Sequence, residues 1–183
     1  LSSTPVWEER HTNRGPYFKR ALTDVEALAA AHDLNQTSLR LIEASQMSRA
    51  AKWIQQASEI RFRTQEVHEW FGQSLRFKED EQSRQHGLHV STLNLPPGGA
   101  ALLRFTAPWQ NMALLNRVGL YKMFAAIEAA GFKQAPCALA ITGPATREGA
   151  FEAGRVLQRA WLGITQRGWA GHPFYVVSDT LYR

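Results

Sequence analysis

The stretch that decides the fold is Cys137-Ala138-Leu139-Ala140-Ile141-Thr142. This continuous apolar run is bounded by Pro136 on one side and by Gly143-Pro144 on the other. A short apolar run between turn-forming residues is typical of a strand covered on both faces, because a half-exposed strand alternates apolar and polar side chains. The stretch therefore predicts the central strand of a sheet.

Outward from this strand, the sequence alternates between helical and strand patterns. Apolar residues at helical spacing after a capping residue or a proline predict helices, and compact branched or aromatic runs predict strands. The predicted helices are 23–31, a helix capped by Ser45, a helix capped by Thr64, 108–130 and 147–167, and the further predicted strands are 38–43 and 174–178. Residues 78–106 form a long connection. Helices between well-separated strands predict a sheet layered with helices.

Length and composition place the chain among ordinary globular proteins. It has 183 residues, 44% of them hydrophobic and 20% charged, which supports a single domain over 1–183. Its one cysteine, Cys137, excludes an internal disulfide, and the first thirty residues lack the apolar core of a signal peptide. We therefore expect a cytoplasmic protein that does not act at a membrane. The first residue is Leu1, so we expect a piece of a longer chain.

The net charge of +5 decides little about partners. Basic residues are scattered, and no block of like charges or known nucleic-acid-binding motif accompanies them, so we expect no nucleic acid partner. His86 and His89 are spaced like a pair of metal ligands but have no third ligand nearby, so we expect no metal. The sequence also lacks a nucleophile elbow and a phosphate-binding P-loop, which disfavours hydrolases and kinases.

One short segment concentrates hydrogen-bond donors. Residues 10–14 (Arg-His-Thr-Asn-Arg), here called the basic turn, hold two guanidinium groups, an imidazole and a hydroxyl just before a predicted helix. A phosphomonoester carries more than one negative charge and needs several charge-assisted donors. The basic turn therefore predicts a phosphate site, and the alternative interpretation is a solvated surface turn.

The basic turn with the following GPY, the segment 48–77 and the late segment 152–169 (EAGRVLQRAWLGITQRGW) together resemble the FMN-dependent nitroreductase family. The likeness is greatest to a divergent bacterial branch in which such a half belongs to a longer protein. It implies an α+β fold with a central, mainly antiparallel sheet flanked by helices. It also implies that Arg10, Thr12 and Arg14 hold the phosphate and ribityl chain of FMN, with His11 beside them.

The resemblance further implies a function. The implied reaction is hydride transfer from NADH or NADPH through FMN to a nitroaromatic or quinone-like acceptor. The implied assembly is a homodimer or a pairing with an intramolecular partner domain. No side chain is assigned a catalytic role, because the flavin supplies the chemistry. The family's Asn-x-Gln-Pro-Trp stretch, which reaches the flavin ring, corresponds here to Asp33–Ser38 and is not kept. The alternative function is therefore a catalytically degenerate module for flavin sequestration, dimerisation or regulation of an attached domain. A third is an anion or nucleic-acid binder that uses the net charge of +5.

Remaining expectations concern aromatic residues and a loop. Trp53, Trp70 and Trp161 fall on helical apolar stripes and are expected in the core. Trp109 and Trp169 are candidates for lining a flavin or substrate cavity. Residues 78–99 are polar and then rich in proline and glycine, which predicts either a lid over the flavin or a plain surface excursion.

Overall fold

The computed structural model describes residues 5–18, 20, 22–30, 36–78 and 86–181. The chain divides into two compact units, here called unit 1 (Leu1–Ala50 with Lys133–Pro173) and unit 2 (Ala51–Phe132 with Phe174–Arg183). The fold is mixed and 61% helical, with a small antiparallel sheet. The expected α+β class is therefore confirmed at this coarse level.

The elements follow one another along both units. In chain order they are α1 (Val6–Glu9), α2 (Val25–Ala30), β1 (Ser38–Ile42), α3 (Ala44–Arg63), α4 (Gln65–Ser74), β2 (Leu75–Arg76), β3 (Leu88–His89), a 3₁₀ turn (Val90–Leu93), α5 (Gly99–Thr106), α6 (Trp109–Arg117), α7 (Leu120–Lys133), β4 (Ala138–Thr142), α8 (Arg147–Gln166) and α9 (Val176–Leu181). Among the residues described, no helix is long and apolar enough to cross a membrane.

Unit 1 is built on the antiparallel pair β1 and β4. Ser38 lies opposite Thr142 and Ile42 opposite Ala138. The core beside this pair contains Leu39, Val156 and Ala160, with Leu41, Leu139 and Ile141 packed against them. Burial of Val156 and Ala160 therefore fixes one face of α8 against the sheet.

The position of β4 corrects the sequence-based prediction. The strand forms at Ala138–Thr142 as predicted, but β1 is its one strand neighbour among the described residues, and its side chains are only half-buried or exposed. An apolar run alone does not distinguish a central strand from one strand of a small sheet. The expectation that this strand is covered on both faces at the centre of the sheet is wrong for the described part of the chain.

Unit 2 packs mainly helix on helix. Its core contains Ala51, Ile54, Ala57, Ala129 and Val176, against which Phe132, Phe174 and Val177 pack. Arg61 at the end of α3 forms an ion pair with Glu128 of α7 at 2.6 Å. The side-chain amide of Asn116 donates to the carbonyl of Phe62 at 3.0 Å, which ties α6 to α3.

The buried face of α4 matches the predicted one only in part. Val67 and His68 are buried, whereas Trp70 is 60% exposed. The Nε2 of His68 donates to the carbonyl of Thr106 at 2.7 Å, and a Cβ at Gly72 would lie 2.8 Å from the carbonyl oxygen of Ala107. A polar residue and a glycine therefore face inward, positions that an apolar pattern assigns to the outside. The same error affects Trp53, which is 54% exposed on α3.

Two further segments differ from their predictions. The predicted helix 108–130 is broken into α6 and α7, because Gly119 adopts the left-handed conformation with φ of 79°. The predicted strand 174–178 is instead irregular at Phe174–Tyr175 and then enters α9. Val176 is buried, and the rings of Phe132 and Phe174 meet edge-on at 5.7 Å. Packing against helices has overridden the β propensity of these residues.

The predicted long connection contains regular structure. Residues 79–85 lie outside the described part of the chain, so the lid hypothesis for that polar run stays a prediction. Beyond them, β3 pairs with β2 in parallel, Leu88 opposite Leu75, and Val90 is buried. From Gly99 the chain is already in α5. The segment from Leu88 onward is therefore at least partly packed.

Candidate functional site: the basic turn of unit 1

The basic turn directly follows α1 and is fixed by backbone contacts. Thr12 forms an isolated parallel bridge with Gly171, and the amide of Asn13 donates to the Gly171 carbonyl at 2.8 Å. The side-chain oxygen of Asn13 accepts from the amide of Gly15 at 3.0 Å. The turn is therefore held by its own asparagine and by a segment that lies far from it in sequence.

Arg10 lies against α8. One of its terminal nitrogens, Nη1, donates to Oε1 of Gln158 at 2.7 Å, and its Cζ lies 4.6 Å from the centre of the Trp161 ring. A cation at this distance from an indole face is in cation–π contact. Arg10 nevertheless stays exposed. The guanidinium is thus oriented by two side chains and open to solvent.

α8 presents different faces to the sheet and to the basic turn. Val156 and Ala160 are buried in the sheet core, and Gln158 is two positions from each of them. At about 100° per residue, Gln158 projects from the side opposite Val156. The helix therefore lies between the core and Arg10.

The other residues of the basic turn have different environments. The ring nitrogen Nδ1 of His11 lies 2.9 Å from the carbonyl of Glu9, so it carries the proton and donates, because a carbonyl only accepts. Thr12 and Arg14 are half-buried. The four predicted site residues, Arg10, His11, Thr12 and Arg14, therefore lie on one turn. The side chain of Arg10 contacts Gln158 and Trp161 of α8.

Tyr17 lies just beyond the basic turn. Burial raises the pKa of its phenol above the usual value, and a hydrogen bond with the Asn13 side chain lowers the pKa by less. The phenol therefore stays neutral at physiological pH. Sequence reasoning did not single out this residue, whose environment depends on the fold around Asn13.

Trp161 has an unsatisfied donor beside the basic turn. Its Nε1 is buried and has no hydrogen-bond partner among the described residues. A Cβ at Gly171 would lie 3.7 Å from this nitrogen and 2.7 Å from Cδ1 of Ile164, so a larger residue would have to displace the end of the Ile164 side chain. Residue types alone do not indicate that Gly171 meets both α8 and Thr12.

The structure describes only the second half, Gln36–Ser38, of the segment expected from the resemblance to match the ring-binding stretch. Its Asp33–Asn35 part lies outside the described residues, whereas Thr37 is 1% exposed. The Thr37 hydroxyl donates to Oε2 of Glu152 at 3.4 Å, and a Cβ at Gly143 would lie 2.7 Å from that hydroxyl oxygen. Thr37 therefore joins the start of β1 to α8.

The other chemistry-bearing residues are less organised. In the part of the chain that the structure describes, no group of three or more potential metal ligands occurs. Cys137 is half-buried, and burial, followed by the charge of Glu26, raises the pKa of its thiol. This environment favours a packed thiol over a nucleophile.

The aromatic candidates for a cavity lie in separate units. In unit 2, Trp109 packs against the His68 ring at 5.7 Å between centres. In unit 1, Arg167 lies 5.9 Å from the Trp169 ring. A cavity of about 470 Å³ in unit 2 is lined by Ala100, Ala101, Arg104 and Phe105 of α5. Trp109 does not contribute to that lining.

No family model, curated protein or solved structure matches this chain in sequence or structure comparisons. The functional argument therefore depends on the basic turn and on the residues around it.

Proposed function

We propose that this chain is a nitroreductase-type flavoprotein module that binds FMN with its phosphate at the basic turn. The observation that carries the proposal is the Arg10 guanidinium, which is exposed, yet oriented by Gln158 and Trp161. Arginine oriented in this way is suited to charge-assisted hydrogen bonds with a phosphate. We also propose that the fold is a central, mainly antiparallel sheet flanked by helices, and that the protein is cytoplasmic.

The donor set fits a phosphate. Arg10 and Arg14 supply two positive charges, and Thr12 supplies a hydroxyl from the same turn. The turn is fixed by Asn13 and Gly171, so its backbone has little freedom to lose when an anion binds. The buried, unpartnered N–H of Trp161 adds an unused donor beside Arg10.

The protein's part in the proposed reaction is to bind and orient. FMN, when bound, supplies hydride acceptance from NADH or NADPH and two-electron reduction of a nitroaromatic or quinone-like acceptor. Arg10 and Arg14 would neutralise the phosphate, Thr12 would donate to it, and His11 would lie beside it. The proposed assembly is a homodimer or a complex with an intramolecular partner domain.

One observation favours the second candidate function, a degenerate module for flavin sequestration, dimerisation or regulation of an attached domain. Thr37, in the segment corresponding to the family's ring-binding stretch, is buried and donates to Glu152. A hydroxyl used in this way supports packing and is withdrawn from a flavin ring. Binding of FMN without turnover of NADH or NADPH would support this second function.

The phosphate assignment can be tested by titrating the purified chain with FMN and following flavin fluorescence. Each charge-assisted hydrogen bond contributes about 1.5 to 3 kcal/mol, so Arg10→Ala and Arg14→Ala should each weaken FMN binding about tenfold or more. The control is Arg159→Ala, which removes the same charge from an exposed position of α8. Unchanged affinity in both basic-turn variants would refute the assignment.

A further inference from the structure

We infer that Gln158 and Trp161 of α8 are positioning residues for the phosphate of the flavin: they hold the Arg10 guanidinium in one orientation and leave its positive charge available. The inference rests on the proposed function and extends the phosphate site from the basic turn to a helix more than a hundred residues away in sequence.

The two contacts restrict Arg10 in different directions. The hydrogen bond from Nη1 to Gln158 at 2.7 Å holds one end of the guanidinium, whereas its central carbon, Cζ, lies over the Trp161 ring at 4.6 Å from the ring centre. Arginine has five N–H donors, and this hydrogen bond uses one of them. The remaining edge is therefore oriented and can still donate to an oxyanion.

The partner at position 158 is neutral, and this determines what Arg10 can do. An amide oxygen accepts the hydrogen bond without cancelling the cation's charge, whereas a carboxylate would form an ion pair. Unit 2 shows the second arrangement: Arg61 pairs with Glu128 at 2.6 Å and both side chains are largely buried. No carboxylate among the described residues forms an ion pair with Arg10. Its charge therefore remains available to an anion.

Orientation of the Arg10 guanidinium before binding should increase the affinity for FMN. Fixing a long side chain on binding costs about 0.5 to 1.5 kcal/mol, so a guanidinium that is already held should bind about two- to tenfold more tightly than a mobile one. Loss of the amide or of the indole should remove that factor. A carboxylate at position 158 should weaken FMN binding further, because it competes with the phosphate for the same cation.

The sharpest test is Gln158→Glu, which keeps the chain length and an acceptor oxygen. We expect FMN affinity to fall about tenfold or more, as for loss of a charge-assisted hydrogen bond, while the thermal midpoint stays the same or rises because an ion pair replaces a neutral hydrogen bond. Competition of inorganic phosphate with FMN should weaken in parallel. A residue with a merely structural role would not lower the affinity and raise the stability together. The matched control is Gln166→Glu, which adds the same charge at an exposed site two turns along α8.

If Gln158→Glu does not fold, two variants of Trp161 test the same positioning role. Trp161→Leu removes the aromatic face and should weaken FMN binding about two- to tenfold, whereas Trp161→Phe keeps a ring and should recover part of the loss.

The outcomes separate the two proposals. If Arg10→Ala weakens FMN binding but Gln158→Glu and Trp161→Leu bind FMN like the unmodified chain, the positioning role is wrong and the phosphate site stands. If Arg10→Ala and Arg14→Ala also bind like the unmodified chain, the proposed function fails and this inference fails with it.

Discussion

Two glycines of α8 should respond in opposite directions to replacement by alanine. Gly154 is exposed, and a Cβ built on it would meet no atom within 4 Å among the described residues. Gly149 is buried in the first turn, where a Cβ would collide with the carbonyl oxygen of Pro144. The amide of Gly149 also donates the capping hydrogen bond to the hydroxyl oxygen of Thr146 at 3.0 Å.

The magnitudes follow from these surroundings. At Gly154 only helix propensity changes, so alanine should stabilise unit 1 by about 0.5 to 1 kcal/mol. At Gly149 the same gain is opposed by overpacking against backbone, which costs about 1 to 3 kcal/mol, and by disturbance of the Thr146 cap, about 1 kcal/mol. The expected net effect of Gly149→Ala is a destabilisation of about 1 to 3 kcal/mol.

Thermal unfolding followed by circular dichroism measures both effects. For a chain of this size, 1 kcal/mol shifts the midpoint by about 2 to 4 °C. Gly154→Ala should therefore raise the midpoint by a few degrees, and Gly149→Ala should lower it by at least as much. If Gly149→Ala is neutral or stabilising, the close packing of α8 on Pro144 is wrong. If Gly154→Ala is destabilising, an unrecognised contact covers that position.

Three further predictions concern other parts of the chain. Ser58→Ala should stabilise unit 2 by about 0.5 to 2 kcal/mol in urea unfolding, because the buried Ser58 hydroxyl has no partner among the described residues; destabilisation would indicate a partner that it does bind. Cys137 should react with iodoacetamide more slowly than free cysteine at pH 8 and gain rate at higher pH, because its raised pKa leaves less thiolate; equal rates would contradict its burial. Phe151→Asp on α8 and Ile127→Asp on α7 should each reduce self-association in analytical ultracentrifugation at tens of micromolar, because these apolar side chains are 71% and 63% exposed; a monomeric unmodified chain would refute self-association.

Elements with strong local patterns could be predicted from the sequence. The strand at 138–142, the strand at 38–42 and the long helix from Arg147 form close to the predicted positions. Their apolar pattern, a continuous run or a regular period, extends over the whole element, so the local pattern agrees with the secondary structure that forms.

Elements whose state depends on distant partners could not be predicted. The run Phe174–Ser178 has the composition of a strand, but Val176 is buried among α3 and α7 residues and the chain turns into a helix there. His68 faces inward because a backbone carbonyl at Thr106 satisfies it, which no local pattern reveals. Because His68 is polar, an apolar pattern does not place it on the buried face of α4. The pattern instead predicts that Trp70 is buried, although this side chain is exposed.

Only the local part of the candidate site could be predicted from the sequence. The basic turn is a local motif, so its donors were identified from residue types alone. The contacts of Arg10 with Gln158 and of Thr12 with Gly171 join positions that are more than a hundred residues apart. Such contacts follow from how α8 packs on the sheet, and one sequence without its fold does not specify them.

The most direct test of the central claim compares FMN with riboflavin, which differs only in lacking the phosphate. Both are titrated into the unmodified chain in the same low-salt buffer, and flavin fluorescence is followed. If the basic turn binds the phosphate, FMN should bind about tenfold or more tightly than riboflavin, and the difference should shrink as salt is raised. Equal affinities, or no binding of FMN, would contradict the account.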